Sequence, residues 1–374
     1  MRALRLGVSY ILFFLFLFQI QRKLRISGDA LQFLADHRRD ASEASFEASG
    51  SLENVLKKNR SPAVLLLNKY ALNITLNFLC NVASFPDVGS RLLIFAFDRP
   101  SYETIHKSFP DVSVLYWPVK PFMTAFRQGD SAYQFFQLFR ANLAAYLSVR
   151  SEGFWMIQSD TLWRKNLFQV IDPKKYLKNE ENILLDQEGT KGLLSKMVAG
   201  GYFYAKAGAK TQRFFRNLAA HLRNYFLTDN NVMSQMCITE FEGNKCAFIP
   251  YRTMTNWRWN PSQHHFVADF LQYDSGFSSG EKLEELQKFG ADFVDVDHLR
   301  LTNVGRCNIS KSRNPGLALP AEMFLQQMTE PKTRLGWTIS AWHGVLELAV
   351  ARFPSLEKFL LSELFPYFAF YAVI

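Results

Sequence analysis

Three carboxylates in this chain stand where apolar runs turn polar. Asp98 closes Leu92-Leu93-Ile94-Phe95-Ala96-Phe97, Asp160 closes Phe154-Trp155-Met156-Ile157-Gln158-Ser159, and Asp186 closes Ile183-Leu184-Leu185. A buried strand ending in a carboxylate delivers that group to a sheet edge, and open α/β sheets bind ligands at the carboxyl ends of their strands. Carboxylate oxygens placed there can hold a divalent cation against an anionic ligand. Asp is equally a turn and cap residue. For Asp98, followed by Arg99-Pro100-Ser101, capping and function are level. The aromatic flanks Trp155 and Trp163 tilt Asp160 towards function, and Asp186 falls between the two.

Other chemistries are poorly supplied. No G-x-S-x-G, H-E-x-x-H, P-loop or G-x-G-x-x-G occurs, and Cys80, Cys237, Cys246 and Cys307 lack zinc-ligand spacing. His264 and His265 would point to opposite faces of a strand, which argues against a shared metal. His298, after Asp295-Val296-Asp297, belongs either to a solvated turn or to a metal site assembled late in the fold.

The elements that must position these groups are those of an α/β domain. Residues 63–67, 91–98 and 112–117 are short apolar runs separated by segments of helical periodicity, the pattern of a parallel sheet with helices on its faces. A helix predicted over 132–149, with Asp130 and Ser131 as caps, leads into the strand of residues 154–160. Gly200-Gly201 opens an aromatic strand, and helices are expected over 210–225 and 230–236. This places one domain at 61–310 and a Pro-punctuated helical extension at 311–374.

Composition excludes whole classes. With 48% hydrophobic residues among 374, the chain has too much apolar surface to stay disordered, and its 19 Gly, 14 Pro and 4 Cys fit neither collagen nor a disulfide scaffold. The net charge of +9 is scattered, with no basic run suited to nucleic acid; it suits an anionic substrate or a membrane surface equally well and bounds little else. Residues 1–5 carry Arg2 and Arg5, residues 6–20 are apolar, and Arg22, Lys23 and Arg25 follow. Fifteen residues fall short of the ~20 that span hydrocarbon, but flanking cations snorkel, and no small-residue cleavage site follows. A signal anchor is expected at 6–20, with a buried core helix as the alternative, and polar residues 21–60 are expected to form a stem. A lumenal domain would allow bridges among the four cysteines. Cys237 and Cys246 are close enough to close a small loop, although spacing leaves the pairing open. It would also allow glycosylation at Asn59, Asn308 and Asn73, the last in a predicted helix where burial would block it.

Taken together, residues 153–163 (Gly-Phe-Trp-Met-Ile-Gln-Ser-Asp-Thr-Leu-Trp), 197–204 (Met-Val-Ala-Gly-Gly-Tyr-Phe-Tyr) and 228–231 (Thr-Asp-Asn-Asn) resemble the signature blocks of the nucleotide-diphospho-sugar transferase domain, a group similar to glycosyltransferase family 77. The resemblance covers residues 61–310. It implies a GT-A fold, a nucleotide-sugar donor, a glycan or glycoprotein acceptor, transfer of a hexosyl or pentosyl group, and a Mn²⁺ or Mg²⁺ ion. It also implies a type II layout in a Golgi or ER membrane. Family members place D-x-D at this strand end. Here Gln158 stands at the first acid, so a carbonyl oxygen is offered without its charge. By the same resemblance Asp160 is a candidate metal ligand, and His298, from its place after Asp295-Val296-Asp297, is a second candidate. Asp98, Arg140, Gln158, Asp160, Gly200 and Gly201 are candidate donor contacts, and Asp186 and Asp229 are candidate catalytic carboxylates. Plain alternatives stand beside these: a helix-surface role for Arg140, a tight turn for the glycines and an N-cap for Asp229. Trp257-Arg258-Trp259 could stack on a sugar or lie in the core. A non-catalytic glycan- or nucleotide-binding relative that lost the first acid is the competing class.

Overall fold

Runs of consecutive apolar residues become strands here because helices cover both faces of the sheet, so no polar alternation is required. The computed structural model describes residues 2–127, 129–178, 180–190, 192–256, parts of 268–312 and a few positions near 350. Its central sheet contains β1 (Ala63–Leu67), β2 (Leu92–Ala96), β3 (Ser113–Tyr116), β4 (Phe154–Met156), β6 (Glu181–Gln187), β7 (Val198–Ala205) and β8 (Lys245–Ile249), in the order β3-β2-β1-β4-β7-β6-β8. β3, β2, β1 and β4 run parallel, with Leu65 opposite Ile94 and Ala63 opposite Trp155. β7 lies antiparallel to both β4 and β6, and β6 pairs parallel with β8. The expected mixed α/β domain with a mostly parallel sheet is therefore present.

Side chains alternate between the faces. Val64, Leu93, Phe95, Phe154, Met156, Leu185 and Phe203 enter one apolar cluster, and Leu65, Ile94, Trp155, Leu184 and Tyr202 enter the other. The first face is covered by α7 (Ser131–Arg150), α10 (Ala209–Asn224) and α11 (Asp229–Ile238), and the second by α4 (Leu72–Val82). Short helices α5 (Val88–Arg91), α6 (Arg99–Ser108), α8 (Leu167–Val170) and α9 (Pro173–Tyr176) fill the crossovers.

Two expectations are revised. The strand expected over 154–160 ends at Met156, and β5 (Thr161–Trp163) leaves to pair antiparallel with β9 (Phe270–Gln272), placing Gln158 and Asp160 in a turn between sheets. The buried Asn81 causes this departure. Its Oδ1 accepts the Trp163 N–H at 2.8 Å and its Nδ2 donates to the Trp163 carbonyl at 2.9 Å, drawing the chain onto α4. Residues 21–60 are not a free-standing stem: Ala30 and Leu34 of α1 (Arg2–His37), Phe46 of α2 (Glu43–Glu47) and Leu52 and Leu56 of α3 (Gly50–Lys58) join the core. Residues 6–20 lie within α1, and among the described residues no helix is long and apolar enough to cross a membrane. Most of the 311–374 extension, and Trp257, Arg258, Trp259, His264 and His265, lie outside the described residues. The cysteines pair as Cys80–Cys307 and Cys237–Cys246.

Candidate functional site

The site is built around an irregularity between β6 and β7. Leu185 pairs with Phe203 and Gln187 with Val198, so residues 199–202 face Asp186 alone. Backbone N–H groups that lose ladder partners must find others. The Asp186 carboxylate supplies them: Oδ1 accepts from Gly200 at 2.8 Å, and Oδ2 from Gly201 at 3.0 Å and Tyr202 at 2.9 Å. Burial pushes the Asp186 carboxyl up to about 6, against the pull of these N–H donors and of Arg140. Gly200 sits at φ +83°, and a Cβ there would lie 2.7 Å from the Asn230 Cβ at the start of α11. Glycine is thus required for the bulge to touch that helix.

Arg140 of α7 reaches the same bulge from below the sheet. Its guanidinium pairs with Asp229 at 3.0 Å, donates to the Gly201 carbonyl at 3.2 Å and lies over the Phe203 ring. Asp229 also accepts the Asn230 N–H at 2.8 Å. Burial raises the Asp229 carboxyl above its ordinary range while the Arg140 charge holds it down. Arg140 was expected to face the donor diphosphate. Instead it is committed to a buried pair that joins α7, α11 and β7, so it positions the bulge. The three oxygen contacts of Asp186 give that residue a positioning role as well.

Three polar side chains crowd the other side of Gly201. A Cβ there would meet Gln272 Oε1 at 2.7 Å, Asp186 Oδ2 at 3.1 Å and Gln158 Oε1 at 3.2 Å, so only glycine lets them close on the backbone. Gln272 Nε2 donates to Gln158 Oε1 at 2.5 Å. Tyr202 holds the turn from inside: its hydroxyl donates to the Gln158 carbonyl at 2.8 Å and accepts from Trp163 Nε1 at 3.0 Å. Beyond the turn, Lys282 Nζ lies 2.6 Å from Asp160 Oδ2 in a partly buried pair, while Asp160 Oδ1 is buried without a hydrogen-bond partner among the described residues. Gln272, Lys282 and Tyr202 were not singled out from the sequence. Gln272 does show the signal of Gln158, a polar residue closing an apolar strand, whereas Lys282 stands among Glu281, Glu284 and Glu285, an acidic sequence that hides it.

Asp98 stands at the same sheet edge, at the end of β2, but both its oxygens accept backbone N–H groups, from Lys69 and from Ser101 at the start of α6. The cap reading holds for its contacts. His298 follows Asp295, whose Oδ1 accepts its N–H at 3.0 Å, in the segment that the Cys80–Cys307 bridge ties to α4. Among the described residues no three His, Cys, Asp or Glu side chains gather as metal ligands. A divalent ion needs several oxygen ligands and excess negative charge. The unpartnered Asp160 Oδ1 would supply one ligand, but Lys282 occupies the other oxygen and Gln158 adds no charge. The described residues do not fit the Mn²⁺ or Mg²⁺ implied by the resemblance. Of the sequons, Asn73 is exposed on α4, Asn59 donates to the carbonyls of Ser90 and Arg91, and Asn308 Oδ1 accepts from Ser310.

Residues 88–286 match the nucleotide-diphospho-sugar transferase family, and the chain belongs to it. No curated protein matches the chain. Similar solved structures include the WbbM bifunctional glycosyltransferase, at 11% identity and TM-score 0.41, covering 60% of this chain and 49% of that one. Galactosyltransferase LgtC in complex with donor and acceptor sugar analogues is 11% identical, with TM-score 0.40, covering 72% and 97% of the two chains. Mouse xyloside xylosyltransferase 1 is 9% identical, with TM-score 0.37, covering 57% and 97%. This chain thus spans about half the length of WbbM, and no residue role is carried over from these structures.

Proposed function

We propose that the chain transfers a hexosyl or pentosyl group from a nucleotide-sugar donor to a glycan or glycoprotein acceptor. Family membership over 88–286 supports the donor class. The observation that carries the site is the half-buried turn at Gln158–Asp160, where Gln272, Lys282 and the Gly201 backbone converge at the carboxyl edge of the parallel strands. In this reading the nucleotide lies over the carboxyl ends of β1, β2 and β4, with Asp98 at its rim. The donor diphosphate meets the Asp160–Lys282 pair, and the sugar lies towards Gly201 and Gln272. Asp186 and Asp229 serve the transfer indirectly, by fixing the bulge that presents Gly201.

The testing experiment is nucleotide release from a panel of nucleotide sugars by the purified chain, with and without mixed glycan acceptors. Turnover with one donor is expected. Binding of a nucleoside diphosphate without turnover of any donor would favour the non-catalytic reading, which Gln158 in place of an acid keeps in view.

Attachment to a Golgi or ER membrane through the N-terminal helix is part of the same proposal. Tyr10, Phe14, Leu17 and Phe18 are exposed on α1 next to the exposed Arg22 and Arg25, a composition suited to a lipid interface. Sedimentation of membranes from expressing cells at low salt tests it: recovery with the membranes is expected, and recovery wholly in the supernatant overturns it.

A further inference from the structure

The disagreement between the implied dication and the residues present leads further. An acid-x-acid pair reaches neutrality only when a divalent cation joins it. Gln158, Asp160 and Lys282 are neutral together without one, since Lys282 Nζ already lies 2.6 Å from Asp160 Oδ2. A dication placed on Asp160 would meet the ammonium across a single carboxylate, where like charges a few ångströms apart repel strongly in a partly buried site. Gln158 cannot offset this, and its Oε1 already accepts from Gln272 Nε2.

Asp160 combines one oxygen bound to Lys282 with a second, buried oxygen that has no partner among the described residues. A carboxylate in that state fixes an ammonium on one side and faces an absent donor on the other. The anionic diphosphate leaving group needs positive charge at this edge of the sheet, and Arg140 is withdrawn from that task by Asp229 and the Gly201 carbonyl.

Resting on the donor reading above, we propose that the Lys282 ammonium, oriented by Asp160, takes the place of the divalent cation against the donor diphosphate. Donor binding is then independent of metal. Lys282 stabilises the charge that develops as the acceptor hydroxyl oxygen bonds to the anomeric carbon, the glycosyl–oxygen bond breaks with its electron pair leaving on the nucleoside diphosphate, and the acceptor's proton passes to solvent.

The test uses the full chain and four probes, UDP, GDP, ADP and CDP, titrated calorimetrically in EDTA and in Mn²⁺. At least one nucleotide is expected to bind equally well in both. Lys282→Met should weaken that binding about ten-fold or more, and Lys282→Arg should restore most of it, in line with the strength of a charge-assisted hydrogen bond. Thermal melting checks that the variants are folded, and the EDTA comparison needs no variant at all. Binding that appears only with Mn²⁺, or that survives Lys282→Met unchanged, overturns this inference and leaves the transferase reading intact. Absence of binding by every nucleotide under both conditions removes the donor reading itself, and the inference with it.

Discussion

At the residue scale, each acid that looked alike in the sequence has a different employment. Asp98 caps, Asp186 replaces missing ladder carbonyls, Asp229 neutralises Arg140, and of these four only Asp160 keeps an oxygen without a partner among the described residues. Removing one member of a buried ion pair costs roughly 3–5 kcal/mol, whereas apolar replacement of both can be nearly neutral. Asp229→Asn and Arg140→Met should therefore each lower unfolding free energy in urea by about 3 kcal/mol or more. The double variant Arg140→Met/Asp229→Leu should recover most of that loss; failure to recover would assign Arg140 more than the pair. Asp186 is linked to pH with a definite sign. Its folded value of about 6 lies above the ordinary 3.8, so its contribution to stability is full below pH 3.8 and is lost as pH rises through 6. Asp186→Asn should flatten that part of the stability profile. It should also cost about 2–3 kcal/mol, because its amide nitrogen would face a backbone N–H instead of accepting from it. Gln158→Asp places a second negative charge beside Asp160. It should weaken nucleotide binding in EDTA and make Mn²⁺ beneficial, measured by the same titration.

At the element scale, apolar runs and helical periodicity made most elements legible: β1, β2, β3, β6 and β7, and the helices α7, α10 and α11 within one or two residues of their ends. The strand leading to Asp160 was drawn too long, because Ile157 continues the apolar run and nothing local announces Asn81, 82 residues from Trp163 in sequence. Asn81→Leu should leave the Trp163 N–H and carbonyl unpaired and cost about 2–4 kcal/mol in urea unfolding. The Gln158–Asp160 turn would shift with it, so nucleotide affinity should fall in parallel. Gly200→Ala tests the bulge directly. With φ at +83° and the Asn230 Cβ at 2.7 Å, the melting temperature should drop by several degrees, consistent with a cost of about 1–3 kcal/mol.

At the scale of the whole molecule, α1 divides the N-terminal segment into two parts. Tyr10, Phe14, Leu17 and Phe18 are exposed, whereas Ala30 and Leu34 are in the core. Removal of residues 1–20 should leave the melting temperature of the domain unchanged, and removal of residues 1–60 should destabilise it severely. The Cys80–Cys307 bridge closes a loop of 227 residues, and its replacement by two serines should cost about 3–5 kcal/mol on loop-entropy grounds. The sequence by itself determined the class of fold, most of the order of strands and helices, and the place of Gln158 and Asp160 just beyond a buried strand, because these follow from local apolar patterning and from residues adjacent in the chain. Only the tertiary structure decided which carboxylates are consumed by backbone, that Arg140 turns inward to Asp229, and that Lys282 arrives at Asp160 across 122 residues. Side-chain partnerships at such separations depend on how sheets and helices close over one another, and local patterning carries no record of that.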